Sequence, residues 1–183
     1  MKIFKSVLIL FLVGCTSYLT AQTNSSTAYA ESNQITDTKK YIGTTPMPFQ
    51  AADMKGKNHF LPDYKGKVVV MAFWSAADEL SRNQIKSLNQ LQKEFSTKNV
   101  VILSLADEDK PDLNSFLKNN AINYPVIPNA RPLGEIGYGS DLGTSRIYIV
   151  NEMGKIEDIY ITEDESGMQT YHDVKDIVNN LLK

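Results

Sequence analysis

Two apolar runs dominate the pattern along this chain. Val68-Val69-Val70-Met71-Ala72-Phe73-Trp74 and Val100-Val101-Ile102-Leu103-Ser104-Leu105 show no polar alternation, so each predicts a strand buried on both faces, as in a central parallel sheet. From Asp78 to Phe95 the apolar residues Ile85, Leu88, Leu91 and Phe95 recur at helical spacing. That segment is long enough for a crossover, so the two strands are predicted to be parallel. Leu113, Phe116 and Leu117 predict a second, short amphipathic helix ending near Asn119-Asn120.

The remaining elements follow from turn residues. Thr45-Pro46-Met47-Pro48-Phe49 is barred from helix by its prolines, and the turn residues of Asp53-Met54-Lys55-Gly56-Lys57-Asn58 predict a hairpin. Leu61 to Lys67 reads as a polar bend. Tyr124-Pro125-Val126-Ile127-Pro128 is extended, and residues 129–143 form a loop with one helical turn near Leu133 to Tyr138. Ile147 to Val150 and Ile156 to Ile161 flank Asn151-Glu152-Met153-Gly154, a second hairpin. Val174, Ile177, Val178, Leu181 and Leu182 mark a terminal helix. This order describes an α/β sandwich with a mixed central sheet. Architecture of that kind assigns no function by itself.

The first residues are of another kind. Lys2 and Lys5 precede an apolar run through Leu12-Val13 that is too short to span a bilayer; this is the form of an export signal. Leu12-Val13-Gly14-Cys15 resembles the lipobox of bacterial lipoproteins, which implies that Cys15 becomes a lipidated N-terminus and the chain is anchored to a membrane of the bacterial cell envelope. The alternative is an ordinary signal cut after Ala21 or Ala30. Residues 15–40 are rich in Ser, Thr and Asn and are expected to be a flexible tether, with a coil reach of about 25–30 Å. The organisation predicted is thus 1–14 signal, 15–40 tether and 41–183 one domain.

Loss of Lys2 and Lys5 takes the formal net charge from −2 to about −4. No basic patch argues for nucleic acid as a partner. Cys15 is the only cysteine. Thiol–disulfide exchange requires a thiolate, and residues 41–183 contain none.

Specific residues carry a family likeness. Asp63-Tyr64-Lys65-Gly66-Lys67-Val68-Val69-Val70-Met71-Ala72-Phe73-Trp74 resembles the approach to the active site in thioredoxin-like proteins of the TlpA type and of the related alkyl hydroperoxide reductase/thiol-specific antioxidant group. Phe116 to Val126 resembles their Phe…Ile-x-Tyr-Pro-Val element, and Ile147 to Ile156 their last hairpin. The resemblance implies a thioredoxin-like three-layer sandwich, a mixed central sheet flanked by helices, over nearly the whole domain. It also implies where the active site lies. The family's Trp-Cys-x-x-Cys falls on Ala77-Asp78-Glu79-Leu80-Ser81, its cis-proline on Ser145 after Thr144, and an acidic residue of its active-site helix on Gln84. A non-proline cis bond costs about 3 kcal/mol, so the Thr144–Ser145 bond is expected to be trans. Peroxidase chemistry fails on the same ground, since it too needs a cysteine thiolate.

Each altered position has a plain reading and a sharper one. Asp78 is an N-cap, alone or in a Ser75-x-x-Asp78 capping box; otherwise it preserves the negative charge of the family's thiolate. Arg82 is an i,i+4 partner of Asp78, or a contact to a bound peptide. Trp74 is core or groove wall rather than a ligand platform. Glu108 to Asp112 reads as a solvated loop. His59 and His172 have no partner at metal-ligand spacing, no Gly-x-Ser-x-Gly turn supports a serine triad, and Gly134, Gly137 and Gly139 are turn glycines.

The expectation is therefore a redox-inactive envelope lipoprotein with no cofactor and no metal. It binds a protein or peptide partner through Trp74, Asp78, Arg82, Thr144 and Ser145. The competing readings are a redoxin-family oxidoreductase assigned by fold alone, a non-thiol enzyme using Asp78, and a structural spacer.

Overall fold

The computed structural model describes residues 40–139, 145–162 and 166–183, all within the compact unit Thr38–Lys183. The signal, the tether and Cys15 lie outside the described residues, as does Thr144 with its bond to Ser145.

The elements run in order as β1 (Gln50–Ala52), β2 (Asn58–Phe60), a 3-10 turn (Leu61–Tyr64), β3 (Val68–Trp74), α1 (Glu79–Phe95), β4 (Val100–Ala106), α2 (Lys110–Leu117), β5 (Val126–Ile127), α3 (Arg131–Gly137), β6 (Arg146–Val150), β7 (Ile156–Ile161) and α4 (Met168–Leu181). β1 and β2 make a separate antiparallel hairpin. The main sheet has the order β5-β4-β3-β6-β7. Its β3–β4 and β4–β5 pairs are parallel, and its β3–β6 and β6–β7 pairs antiparallel. The bend expected at Leu61–Lys67 begins with the 3-10 turn because Pro62 fits its opening.

All seven residues of β3 are buried, which is why its sequence lacks alternation: alternate side chains enter different cores. Val69, Met71 and Phe73 join Leu103, Leu105 and Tyr148 beneath the β1–β2 hairpin and α3. Val68, Val70 and Ala72 join Leu88, Leu91 and Phe95 of α1 and Val174 and Val178 of α4. The sheet is thus covered on both faces, as the sandwich expectation required. α1 starts where the sequence predicts, at the Asp78 N-cap, and its apolar stripe of Ile85, Leu88, Leu91 and Phe95 faces the sheet.

Candidate functional site

β3 ends at Trp74, and the chain turns through residues 75–78 into α1. Four successive backbone N–H groups of this turn have partners within the chain. The Ser75 N–H donates to Ser81 Oγ (3.3 Å), Ala76 to Glu108 Oε1 (2.7 Å), Ala77 to Ser75 Oγ (3.2 Å) and Asp78 to the Ser75 carbonyl (3.2 Å). Asp78 caps α1: its Oδ2 accepts from the Ser81 N–H at 2.7 Å and from the Ser81 hydroxyl at 2.6 Å. The two positions where the family resemblance puts thiols are therefore bonded to each other.

The second altered pair is also closed. Ser145 precedes β6 and is 2% exposed, and Gln84 on α1 is 1% exposed. The Ser145 hydroxyl donates to Gln84 Oε1 at 2.5 Å. Gln84 Nε2 is buried with no partner. A neutral amide at this place offers no proton-accepting base.

Several sequence expectations change here. The Ser75–Asp78 capping box is not formed, because the Ser75 hydroxyl donates instead to Glu108 Oε1 at 2.7 Å. Arg82 makes no ion pair with Asp78; its Nη1 donates to the Ala76 carbonyl at 3.1 Å and so ties the turn to the helix. A capping aspartate turns its carboxylate toward the helix N-terminus, away from a side chain one turn on. Trp74 is core. It is 2% exposed, its indole N–H donates to Ser104 Oγ, and its ring lies 5.5 Å from that of Phe116. It gives a partner no surface, and neither does the buried side chain of Ser145. What the turn presents to solvent is Ala77, Glu79 and Arg82, with Asp78 half-buried.

Glu108 is the residue that sequence reasoning missed. It is half-buried rather than solvated, one oxygen holding the turn and the other buried without a partner. Strand register, which hydropathy does not mark, sets this contact. β3 and β4 are parallel with Trp74 opposite Ala106, so residues 107–108 must leave the sheet beside residues 75–76.

A second missed cluster lies on the hairpin. His59 Nε2 is 3.1 Å from Asp53 Oδ2, and His59 Nδ1 is 2.6 Å from the Tyr64 hydroxyl. Asp53 Oδ1 accepts from the N–H groups of Lys55 and Lys57, each at 2.9 Å. Burial alone would raise the Asp53 carboxyl, but the bonds from His59, Lys57 and Lys55 hold it below the ordinary carboxylate value. An ionised carboxylate can only accept, so Nε2–H donates to Asp53, and Nδ1 shares the second bond with the Tyr64 hydroxyl.

Comparison with known proteins bears on the family and the fold. The model of the AhpC/TSA family matches residues 42–159. The thiol-disulfide oxidoreductase ResA of Geobacillus thermodenitrificans is 25% identical over 176 residues, covering 94% of this chain and 91% of that protein. The thioredoxin-like protein YneN of Bacillus subtilis is 24% identical, covering 87% of this chain and 89% of that protein. A thiol:disulfide interchange protein of the thioredoxin family from Chlorobium tepidum superposes with a TM-score of 0.61 at 21% identity, covering 76% of this chain and 97% of its own. The fold is thioredoxin-like. The single cysteine leaves no Cys-x-x-Cys pair.

Proposed function

This chain belongs to the AhpC/TSA family, and from that premise we propose that it is a redox-inactive, thioredoxin-like envelope lipoprotein acting as a protein- or peptide-binding module. One observation carries the reading. The groups that stand where the family has its chemistry bond one another: Asp78 with Ser81, and Gln84 with Ser145. The N–H groups of residues 75–78 are bonded within the chain as well, so the turn before the helix is held by its own contacts.

The contact surface is the exposed edge of the turn, Ala77, Glu79 and Arg82 beside Asp78, where Arg82 supplies the charge suited to a carboxylate or a peptide carbonyl. The membrane anchor rests on Lys2, Lys5 and the Leu12-Val13-Gly14-Cys15 sequence. Among the described residues no helix is long and apolar enough to cross a membrane.

The binding role is tested by pull-down from native membranes with wild type, Asp78→Ala and Arg82→Ala. Reduced recovery of the same partner in both variants is expected; unchanged recovery in both would place binding elsewhere. The anchor is tested by the mass of the mature protein from its native host, which should carry diacylglycerol on Cys15. A mature N-terminus after Ala21 or Ala30 would contradict it.

A further inference from the structure

The Asp53–His59–Tyr64 chain lies outside the Asp78 turn and has no part in the binding surface proposed there. It joins three segments: Asp53 follows β1, His59 is on β2, and Tyr64 ends the 3-10 turn. His59 is 2% exposed and Asp53 3%, so solvent does not reach them. Tyr64 is half-buried and lines a cavity of about 480 Å³ together with Leu61, Pro62, Lys65 and Val150. It thus borders an opening, while its hydroxyl lies 2.6 Å from His59 Nδ1.

This arrangement separates two paths. An electron can leave the Tyr64 ring toward an oxidant in the cavity, while the phenolic proton passes inward along the hydrogen bond. An oxidised phenol is a strong acid, so a phenol gives up an electron more easily when a base stands ready for its proton. With Nε2–H committed to Asp53, the neutral imidazole offers Nδ1 as that base. Asp53 then stabilises the imidazolium that forms: its Oδ2 bonds Nε2 at 3.1 Å, and its Oδ1 is fixed by the Lys55 and Lys57 N–H groups.

Other tyrosines lack this combination. Tyr138 and Tyr148 are buried and donate to the Met47 and Tyr138 carbonyls, which are not bases. The Tyr124 hydroxyl is buried without a partner. Tyr171 donates to Glu94 at 2.6 Å, but the Tyr171 hydroxyl and Lys175 hold that carboxyl below its ordinary value and make it a weak base. The Lys175 ammonium also lies 5.3 Å from the centre of the Tyr171 ring, where it opposes removal of an electron. Lys40 stands at the same distance from the Tyr41 ring. We propose that, among the described tyrosines, Tyr64 is the one that radical oxidants modify first, with nitration as the stable product. The carbonate radical anion takes one electron from the ring and becomes carbonate, and the phenolic proton moves to His59 Nδ1. Nitrogen dioxide then bonds to the ring carbon ortho to the oxygen. That carbon releases its proton to water as His59 returns the first proton to the oxygen, which leaves 3-nitrotyrosine. The reaction is a covalent modification without turnover, and it uses no thiol.

The test exposes the full chain to low doses of peroxynitrite in bicarbonate buffer, which supplies both radicals, and measures nitration at each tyrosine by peptide mass spectrometry. Tyr64 should be nitrated ahead of Tyr41 and Tyr160, which are half-buried too. In His59→Gln the yield at Tyr64 relative to Tyr160 should fall about tenfold, because glutamine can bond the hydroxyl but cannot take its proton. Far-UV circular dichroism checks that this variant is folded. An unchanged Tyr64 to Tyr160 ratio in folded His59→Gln would overturn the proposal. If that variant does not fold, the wild-type order decides: nitration of Tyr41, Tyr160 or Tyr171 ahead of Tyr64 would overturn it as well.

Discussion

Asp78, Ser145 and Asp53 each hold a buried or half-buried polar group in place. Removing the Asp78 cap leaves the Ser81 N–H without its acceptor, so Asp78→Ala should lower stability by about 1 kcal/mol in urea denaturation. Ser145→Ala leaves the buried Gln84 Oε1 without its donor and should lower stability by roughly 1–3 kcal/mol. Replacing both partners, Ser145→Ala with Gln84→Met, should recover most of that loss, since the buried amide is then gone. An additive double mutant would show that the two side chains do not act as a pair. For Asp53 the sign follows from its depressed carboxyl. Its contribution is present above the unfolded value near pH 4 and is lost as pH falls through the lower folded value. Asp53→Asn should therefore flatten the acid limb of the urea midpoint measured between about pH 6 and pH 2. An unchanged limb would contradict the bonding described.

At the scale of elements, α1 and α4 meet at Gly167. Its φ of +71° and the 2.7 Å approach of a Cβ placed there to the Asn83 carbonyl and Ser87 Oγ leave no room for a side chain. The Ser87 hydroxyl donates to the Gly167 carbonyl, and Glu94 is held below the ordinary carboxylate value by the Tyr171 hydroxyl and the Lys175 ammonium. Gly167→Ala should lower the stability by at least about 1 kcal/mol in thermal or urea unfolding. Elements of this size were legible in the sequence because burial writes itself as a period: unbroken for β3, three-to-four for α1, and turn residues between β6 and β7. The Asp78 cap was legible as well, since the position before a helical stripe selects few residue types. Glu108, Ser104 under Trp74 and the Asp53–His59–Tyr64 chain were not. Their partners are fixed by strand register and by packing across the sheet, at separations of up to 33 residues, and hydropathy carries no mark of them.

At the scale of the whole molecule, the fold is thioredoxin-like and the chain has no Cys-x-x-Cys pair. Both cores of the sheet are apolar, and the sandwich needs no thiol to hold it. The turn beyond the C-terminal end of β3 is held by its own hydrogen bonds, Asp78 to Ser81 and Ser75 to Glu108. The central claim is that this domain does no thiol–disulfide chemistry, and the most direct test is insulin reduction with dithiothreitol as the electron source, using the full chain and its Cys15→Ser variant. Both should run at the rate of dithiothreitol alone. Turnover above that rate, persisting in Cys15→Ser, would contradict the account.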